Sequence, residues 1–345
     1  MPLGTAVALQ ILKETADSVG PLGRVEARFS TLQALFEPEL SYIEAELRKA
    51  ATDGVRPATL AAGHLVGAGG KRVRPLTVLL SAACFGPLPS AARELAVVAE
   101  LVHSATLLHD DVIDDSPERR GNPAARTLWG NAVSVLAGDL LLTHALDRTL
   151  AADARALGEL VTTLRRLVDG EIVQLRGRAK LDTSEAVYFR ILEDKTASLF
   201  RWSARAGAIV AGASDAERDA LGLFGERMGV GFQLVDDTLD YAGDPGQTGK
   251  ALLSDLGEGK VTLPLVLALA EAPALAPLLD RARAGDRRAA HDLGEGVRGT
   301  GACAEVRRRA AEETERALGA LAAVRPSAAR DMLRTLAIEL TARTS

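Results

Sequence analysis

Aromatic residues are scarce in this chain, making up only 3% of its 345 residues. Phe, Tyr and Trp are among the residues that strands favour, whereas the abundant Ala, Leu, Arg and Glu favour helix. We also find no run with a convincing two-residue alternation of apolar and polar side chains. The composition therefore predicts an all-α protein.

Cysteine and net positive charge are also in short supply. The two cysteines, Cys84 and Cys303, lie far apart in apolar or small-residue surroundings. This pattern predicts two buried free thiols rather than a disulfide or a metal site, which fits a reducing cytoplasm. The formal net charge is −5, so no basic surface for nucleic acid is expected.

Long hydrophobic runs are missing as well. No segment reaches the roughly 18 uninterrupted apolar residues that a transmembrane helix needs, so we expect no transmembrane segment. The N-terminus has no basic region followed by a cleavable apolar run, and a cytoplasmic location is expected. Residues 1–25 are weakly patterned and are predicted to form a loose N-terminal arm.

Apolar residues at helical spacing occupy most of the remaining chain. Gly69-Gly70 is a helix stop signal, and Pro117, Gly121 and Pro123 mark a loop. We predict helices at 32–49, 59–68, 91–114, 130–151, 155–177, 184–211, 215–242, 262–271, 287–296, 301–323 and 326–343, with a Gly- and Pro-rich loop at 243–259. No linker or repeat interrupts them, so residues 1–345 are predicted to form one large helical bundle.

Two of these apolar helices end in the same acidic pattern, Asp-Asp-x-x-Asp. The first runs from Asp110 through Asp111 to Asp114, and the second from Asp236 through Asp237 to Asp240. Residues four apart lie on one helical face, about 6 Å apart along the axis. Gln233 shares the face of the second motif.

Clustered carboxylates repel one another, and divalent cations relieve that repulsion. Mg²⁺ in particular takes carboxylate oxygens together with the phosphate oxygens of a substrate. The alternative for one such motif is a solvated acidic helix end. Two motifs, each within an apolar helix, favour a magnesium and phosphate site.

Basic residues that could neutralise this negative charge occur in separate groups along the chain. Arg and Lys are the usual partners of phosphate oxygens, although each could also be a solvated surface charge. His103 precedes Asp110 by two helical turns on the same face. The groups are Lys71, Arg72 and Arg74; Arg119 and Arg120; Lys195 with Thr196; and Lys250 and Lys260.

These blocks together resemble the trans-isoprenyl diphosphate synthases, also called polyprenyl synthetases. The matching residues, which run in family order from about 63 to 265, are Gly70-Lys71-Arg72-Val73-Arg74-Pro75, His103, Asp110–Asp114 with Arg119-Arg120-Gly121, Gly138-Asp139, Lys195-Thr196-Ala197, Gln233 with Asp236–Asp240, Gly249-Lys250, and Glu258-Gly259-Lys260 through Pro264. The resemblance implies an all-α bundle around a deep central cavity, and usually a homodimer.

The resemblance also implies roles for the site residues. Asp110, Asp114 and Asp236 would ligate three Mg²⁺ ions, while Asp111, Asp237 and Asp240 would ligate directly or through water. Arg119, Lys195, Thr196, Gln233, Lys250 and Lys260 would hold the allylic diphosphate, and Lys71, Arg74, His103 and Arg120 would hold isopentenyl diphosphate. The role of Arg72 is left open.

The implied reaction is the sequential head-to-tail condensation of isopentenyl diphosphate onto an allylic diphosphate. The small residues Ala105 and Thr106, with Val102 one turn deeper, leave room beneath Asp110 for a growing tail, and an aromatic at that level closes the cavity in this family. We therefore expect a long product of about eight isoprene units (C40). Alternatives are a shorter farnesyl- or geranylgeranyl-type product, a class I terpene cyclase, or a non-catalytic subunit.

Overall fold

The computed structural model describes residues 30–180, 183–242 and 253–342. Within these ranges the chain is almost entirely helical, as its composition predicts. The helices are α1 (30–35), α2 (Glu37–Thr52), α3 (Ala58–Gly67), α4 (Val73–Ala83), α5 (Ser90–Ile113), α6 (Ala125–Trp129), α7 (Asn131–Ala152), α8 (Ala154–Lys180), α9 (Glu185–Leu192), α10 (Ser198–Val210), α11 (Asp215–Ala242), α12 (Ser254–Gly257), α13 (Leu263–Glu271), α14 (Ala276–Arg283), α15 (Arg287–Gly299), α16 (Ala302–Ala320) and α17 (Ala328–Ala342).

Short pieces of other secondary structure connect several of these helices. A π-helical turn, Glu193–Ala197, joins α9 to α10, and 3₁₀ turns occupy Pro273–Leu275 and Leu321–Ala323. One antiparallel pair, β1 (Glu118–Arg119) and β2 (Asn122–Pro123), follows α5. The predicted N-terminal arm lies outside the described residues, as do residues 243–252 of the predicted loop.

Helix α5 is the centre of the bundle. Its sequence is mostly Ala, Val and Leu and carries no wide polar face, so other helices cover it on all sides. It packs most extensively on α7 and also contacts α4, α10 and α2. Helix α11 has a similar position in the second half, against α16 and α10. The two helices that end in acidic motifs are therefore both anchored in the core.

Several parts of the fold differ from the helices predicted by periodicity, among them the short helices α6, α12 and α14, which were not predicted. Helix α4 was not predicted, because its buried run from Leu76 to Ala82 leaves no polar face to reveal a period. The predicted helix at 184–211 is divided by the π-helical turn. The predicted loop after α5 contains the β1–β2 hairpin, whose turn residues Arg120 and Gly121 both have positive φ angles of 53° and 74°.

Both cysteines are free, as predicted. The Cys84 side chain is buried at the end of α4, and burial raises the pKa of its thiol to about 11. Cys303 in α16 is only partly buried. Among the described residues, no single helix is both long and apolar enough to cross a bilayer, and only the bent pair Leu263–Glu271 and Pro273–Arg283 passes by length and composition.

Close helix contacts depend on glycines that face a neighbouring backbone. A Cβ atom at Gly207 of α10 would lie far inside van der Waals contact with the carbonyl oxygen of Val78 in α4. A Cβ at Gly225 of α11 would meet the carbonyl oxygen of Phe200 in the same way. Backbone atoms cannot move aside as a flexible side chain does, so these positions hold α4, α10 and α11 together.

We predict opposite effects on stability from two Gly→Ala changes within helices. Gly207→Ala should lower the free energy of unfolding by about 3 kcal/mol, because the methyl group overpacks the α4–α10 contact. Gly158→Ala in α8, where a Cβ meets no atom within 4 Å, should raise it by about 0.5–1 kcal/mol through helix propensity. Urea denaturation of both variants measures this, and equal effects would contradict the close packing described for α10.

Candidate active site

One cavity of about 1010 Å³ lies at the acidic ends of α5 and α11. Its other walls come from α8, α9, the π-helical turn and the segment before α13. It brings together residues from distant parts of the chain that the sequence analysis selected. Those on its surface are Arg74, His103, Thr106, Asp110, Asp114, Arg119, Arg120, Lys195, Thr196, Gln233, Asp236, Asp237 and Lys260.

Other selected residues do not line this cavity. Lys71 is exposed, and its backbone carbonyl accepts a hydrogen bond from Gln33 Nε2 at 3.3 Å. Asp240 is 8% exposed, and its carboxylate accepts from the backbone N–H of Asp255. Asp111, Ala105 and Val102 are buried behind the cavity wall. Lys250 lies outside the described residues.

The first acidic motif is held by cations from three other segments. Asp110 Oδ2 lies 3.4 Å from Lys195 Nζ. The Asp114 side chain, only 1% exposed, pairs with Lys260 Nζ at 3.0 Å and Arg178 Nη2 at 2.5 Å. Burial raises the pKa of Asp110. Burial also opposes ionisation of Asp114, but Lys260 and Arg178 outweigh it and lower the pKa of that carboxyl.

Asp111 supports the site from behind. It is fully buried, and its Oδ1 accepts a hydrogen bond from Arg119 Nε at 2.7 Å. Burial raises the pKa of Asp111, which the Arg119 guanidinium partly offsets. In this arrangement Asp111 orients Arg119, and Arg119 rather than Asp111 faces the cavity.

The second acidic motif presents Gln233, Asp236 and Asp237 to the cavity from α11. The two oxygens of Asp237 accept separate hydrogen bonds, one from Gln233 Nε2 at 2.8 Å and one from Tyr188 Oη–H at 2.6 Å. Gln233 Oε1 in turn accepts from Thr196 Oγ1–H at 3.2 Å. The side chains that face the cavity on α11, α9 and the π-helical turn thus form one connected network.

The π-helical turn aims Lys195 and Thr196 into the cavity. The extra residue in such a turn changes the direction of the side chains that follow, and π turns are frequent at functional sites. Asp194 within the turn is fixed by Arg166 Nε, which donates to it at 2.7 Å. Two glycines, Gly170 and Gly229, leave no room for a side chain where α8 and α11 approach the turn. Neighbouring backbones therefore fix its position.

A second group of basic residues, Arg74, His103 and Arg120, also lines the cavity. Arg74 Nε is buried without a hydrogen-bond partner, and its guanidinium carbon lies 4.5 Å from the centre of the Phe200 ring. Burial lowers the pKa of Arg74 to about 10. Burial, with Arg74 and Arg120 nearby, also lowers the pKa of His103 well below its ordinary value, so the imidazole is neutral at pH 7.

Arg72, whose role the sequence left open, serves the fold. Its guanidinium is 4% exposed and donates from Nε to Glu44 and from Nη1 to Glu100, both at 2.5 Å. Its backbone φ angle of 52° lies in the left-handed region, which turns the chain between Lys71 and Arg74. Arg72 therefore anchors this loop against α2 and α5 and does not line the cavity.

Several cavity residues were not selected from the sequence. Glu171, Gln174 and Arg178 lie on one face of α8, and Tyr188 lies two turns before Lys195. Glu171 forms an ion pair with Lys195, while the Gln174 amide nitrogen is buried without a hydrogen-bond partner. In the sequence, the α8 residues appear only as polar residues three and four positions apart on an otherwise apolar helix face. An ordinary amphipathic helix has the same pattern, so the spacing does not identify a functional site.

Part of the cavity surface is apolar. Thr106 of α5 lies on it, and its hydroxyl donates to the His103 carbonyl oxygen at 2.8 Å, which hides its polarity. Ala105 and Val102 are 2% and 0% exposed and pack in the core. The remaining apolar lining is Leu107, Ile113, Leu167, Val168, Ile172, Leu175, Val187, Ile191, Leu192, Phe232 and Val261.

The donor set on this cavity fits Mg²⁺ shared with a phosphate ligand. Among residues 30–180, 183–242 and 253–342, no three His, Cys, Asp or Glu side chains already form a cluster that could hold an ion by themselves. Mg²⁺ needs no such cluster, because it commonly takes one or two carboxylates and completes its shell with water and substrate phosphates. Asp110, Asp114 and Asp236 offer their oxygens to the same space.

Comparisons with known proteins all find similarity to polyprenyl synthetases. The model of the polyprenyl synthetase family matches residues 57–294. The chain is 39% identical over 259 residues to the all-trans-nonaprenyl-diphosphate synthase (geranyl-diphosphate specific) of Rhodobacter capsulatus, covering 74% of this chain and 79% of that one. It is 37% identical to the octaprenyl diphosphate synthase of Escherichia coli, covering 74% and 80%.

A solved structure is similar over nearly the whole chain. It is the polyprenyl synthase from Caulobacter crescentus, complexed with calcium and isoprenyl diphosphate. The TM-score is 0.87 at 36% sequence identity, and the alignment covers 92% of this chain and 98% of that one.

Proposed function

This chain belongs to the polyprenyl synthetase family, and we propose that it is an all-trans polyprenyl diphosphate synthase that makes a long-chain product of about eight isoprene units. It is a prenyltransferase with the all-α isoprenoid synthase fold. The observation that carries the proposal is that two carboxylate motifs and two separate basic groups surround one cavity with an apolar side. The family match and the shared core of the helices around it support a single domain.

Two diphosphates need two sites, and the cavity offers them. Arg119, Lys195, Thr196, Gln233 and Lys260 surround the carboxylates and would hold the allylic diphosphate, with Lys250 as a further ligand by resemblance. Arg74, His103 and Arg120 lie near one another on the cavity and would hold isopentenyl diphosphate, assisted by Lys71. A terpene cyclase has no use for this second basic group.

Magnesium would be held by Asp110, Asp114 and Asp236, and we propose three ions per site. Asp111 and Asp240 do not line the cavity and would support the site from behind, Asp111 through Arg119. When bound, Mg²⁺ neutralises the charge that develops on the departing diphosphate. Lys195 and Lys260 lie beside Asp110 and Asp114. Their ammonium groups would therefore contact a diphosphate that shares the metal with these carboxylates.

The apolar side of the cavity suits the rest of the reaction. Loss of diphosphate leaves an allylic cation that water would capture, and a lining of Leu, Ile and Val keeps water out. The alkene of isopentenyl diphosphate, held by Arg74 and its neighbours, then attacks the cation at short range. The departing diphosphate is the proposed proton acceptor, since the nearby His103 is buried among cations. The lengthened tail occupies the apolar side.

We further propose a homodimer formed through α7 and α8. Both helices carry large apolar side chains that are exposed in the single chain, among them Leu136 at 59%, Leu150 at 60% and Val168 at 58%. On α8, Val161, Val168 and Leu175 recur every seven residues, which is typical of helix–helix contacts. Val168, Ile172 and Leu175 also line the cavity, so a second copy on this face would complete the cavity wall.

We expect the chain alone, with Mg²⁺, to join isopentenyl diphosphate to an allylic diphosphate. Asp110→Asn and Asp236→Asn should each lower turnover by about a thousandfold, because each removes a metal ligand needed for ionisation. Asp147→Asn, at an exposed position on α7, is the control and should match wild type. The measurement is incorporation of labelled isopentenyl diphosphate. Product from allylic diphosphate alone would instead indicate a cyclase.

The length of the extracted product should depend on Thr106. Phe at this position projects into the apolar side, and each helical turn of depth corresponds to about 5.4 Å, roughly one isoprene unit. Thr106→Phe should therefore shorten the product to about three or four units and leave the first condensations intact. Ala105→Phe tests the buried residues directly behind the cavity wall. Thr52→Phe, at an exposed position, is the control. Full-length product from Thr106→Phe would refute this path for the tail.

The α7–α8 face should carry the dimer. Val161→Glu places a charge within the apolar stripe without touching the cavity lining, and it should convert the dimer to monomer. Leu223→Glu changes an apolar residue of similar exposure, 41% against 45%, on α11, and should leave the dimer intact. Sedimentation velocity measures both variants. A monomeric wild type, or a dimeric Val161→Glu, would mean that this face has another role.

A further inference from the structure

The chain of hydrogen bonds through Asp237 has a feature that the proposed function does not require. Asp237 is 3% exposed, and each of its two carboxylate oxygens already accepts one side-chain hydrogen bond. One donor is Gln233 of the same helix, and the other is Tyr188, which comes from α9 and is 7% exposed. A carboxylate held in this way is engaged on both sides before any ligand arrives.

The Tyr188 hydroxyl is well suited to be a permanent donor. Burial and the neighbouring Asp237 raise the pKa of Tyr188 well above its ordinary value, so the phenol keeps its proton at any physiological pH. Its O–H has a carboxylate oxygen 2.6 Å away, a distance typical of a charge-assisted hydrogen bond. This hydrogen bond joins α9 to α11 at the cavity wall.

The consequence is seen at Gln233. An amide side chain can turn over and exchange its oxygen and nitrogen, and the network decides between the two orientations. Nε2 of Gln233 donates to Oδ1 of Asp237 at 2.8 Å, which holds the amide nitrogen toward Asp237. Oε1 then lies toward Thr196, whose hydroxyl donates to it at 3.2 Å. Gln233 and Thr196 are thus oriented by the Asp237 carboxyl group, which Tyr188 holds in place.

We propose that Tyr188 and Asp237 are positioning residues that fix the orientation of Gln233 and Thr196 for the allylic diphosphate, and that Asp237 does not act as a metal ligand. This inference rests on the proposed function of the same site. It gives the middle aspartate of the second motif a role different from that of the neighbouring Asp236, because both carboxylate oxygens of Asp237 already accept side-chain hydrogen bonds. It also gives a function to Tyr188, which no motif in the sequence marks.

The experiment compares Tyr188→Phe, Asp237→Asn and the double variant. Tyr42→Phe is the matched control, because it removes a Tyr–carboxylate hydrogen bond, to Glu94, in a part of the fold remote from the cavity. Calorimetry measures the binding of a non-reactive allylic S-thiolodiphosphate in Mg²⁺. This binding reports on the site independently of turnover, so a wild type that binds but does not elongate would count against the proposed function alone.

Tyr188→Phe and Asp237→Asn should each weaken binding of the analogue about tenfold, and the double variant should bind no more weakly than Asp237→Asn. In steady state, the KM for the allylic diphosphate should rise while the KM for isopentenyl diphosphate and the half-saturating Mg²⁺ concentration stay within twofold. Tyr42→Phe should match wild type. The proposal is overturned if Tyr188→Phe binds as wild type does, if the two effects multiply, or if Asp237→Asn raises the Mg²⁺ requirement.

Discussion

The structure depends on the balance of buried charge at the ends of two apolar helices. A carboxylate that leaves water without a partner is costly, yet the Asp114 side chain is only 1% exposed. Arg178 and Lys260, from α8 and the segment before α13, supply the opposite charge. These ion pairs offset the cost of burying the acidic motif, and they also connect distant segments of the chain around the cavity. The same contacts therefore stabilise both the fold and the site.

Burial is also costly for the positive charges of the basic residues on the cavity. Several cations lie close together there, and burial with mutual repulsion disfavours their charge, as the lowered pKa values of Arg74 and His103 indicate. Arg72 is paired with Glu44 and Glu100. The proposed diphosphate of isopentenyl diphosphate would supply negative charge to Arg74 and Arg120. A site prepared in this way stabilises charge without rearranging at the moment of reaction.

Backbone proximity sets the remaining geometry. The glycines at 170 and 229 bring α8 and α11 against the π-helical turn, and Gly207 brings α10 against α4. These contacts fix where Lys195 and Thr196 stand relative to the carboxylates. Several apolar residues of α8 that line the cavity are also exposed on the single chain, and the proposed dimer would cover them.

The sequence by itself determined the helical class, most helix positions and the residues of both acidic motifs, because helical periodicity and residue spacing are local properties. It could not reveal α4, whose uniformly apolar run has no period, nor the π turn, which depends on glycines from other helices. The sequence also could not assign a role to each residue within the motifs. Arg119 rather than Asp111 lines the cavity, and Thr106 rather than Ala105 reaches the cavity surface. Both outcomes depend on which neighbours cover each side of α5. Only the tertiary structure decided these points, because burial and hydrogen bonding join residues that are far apart in the chain.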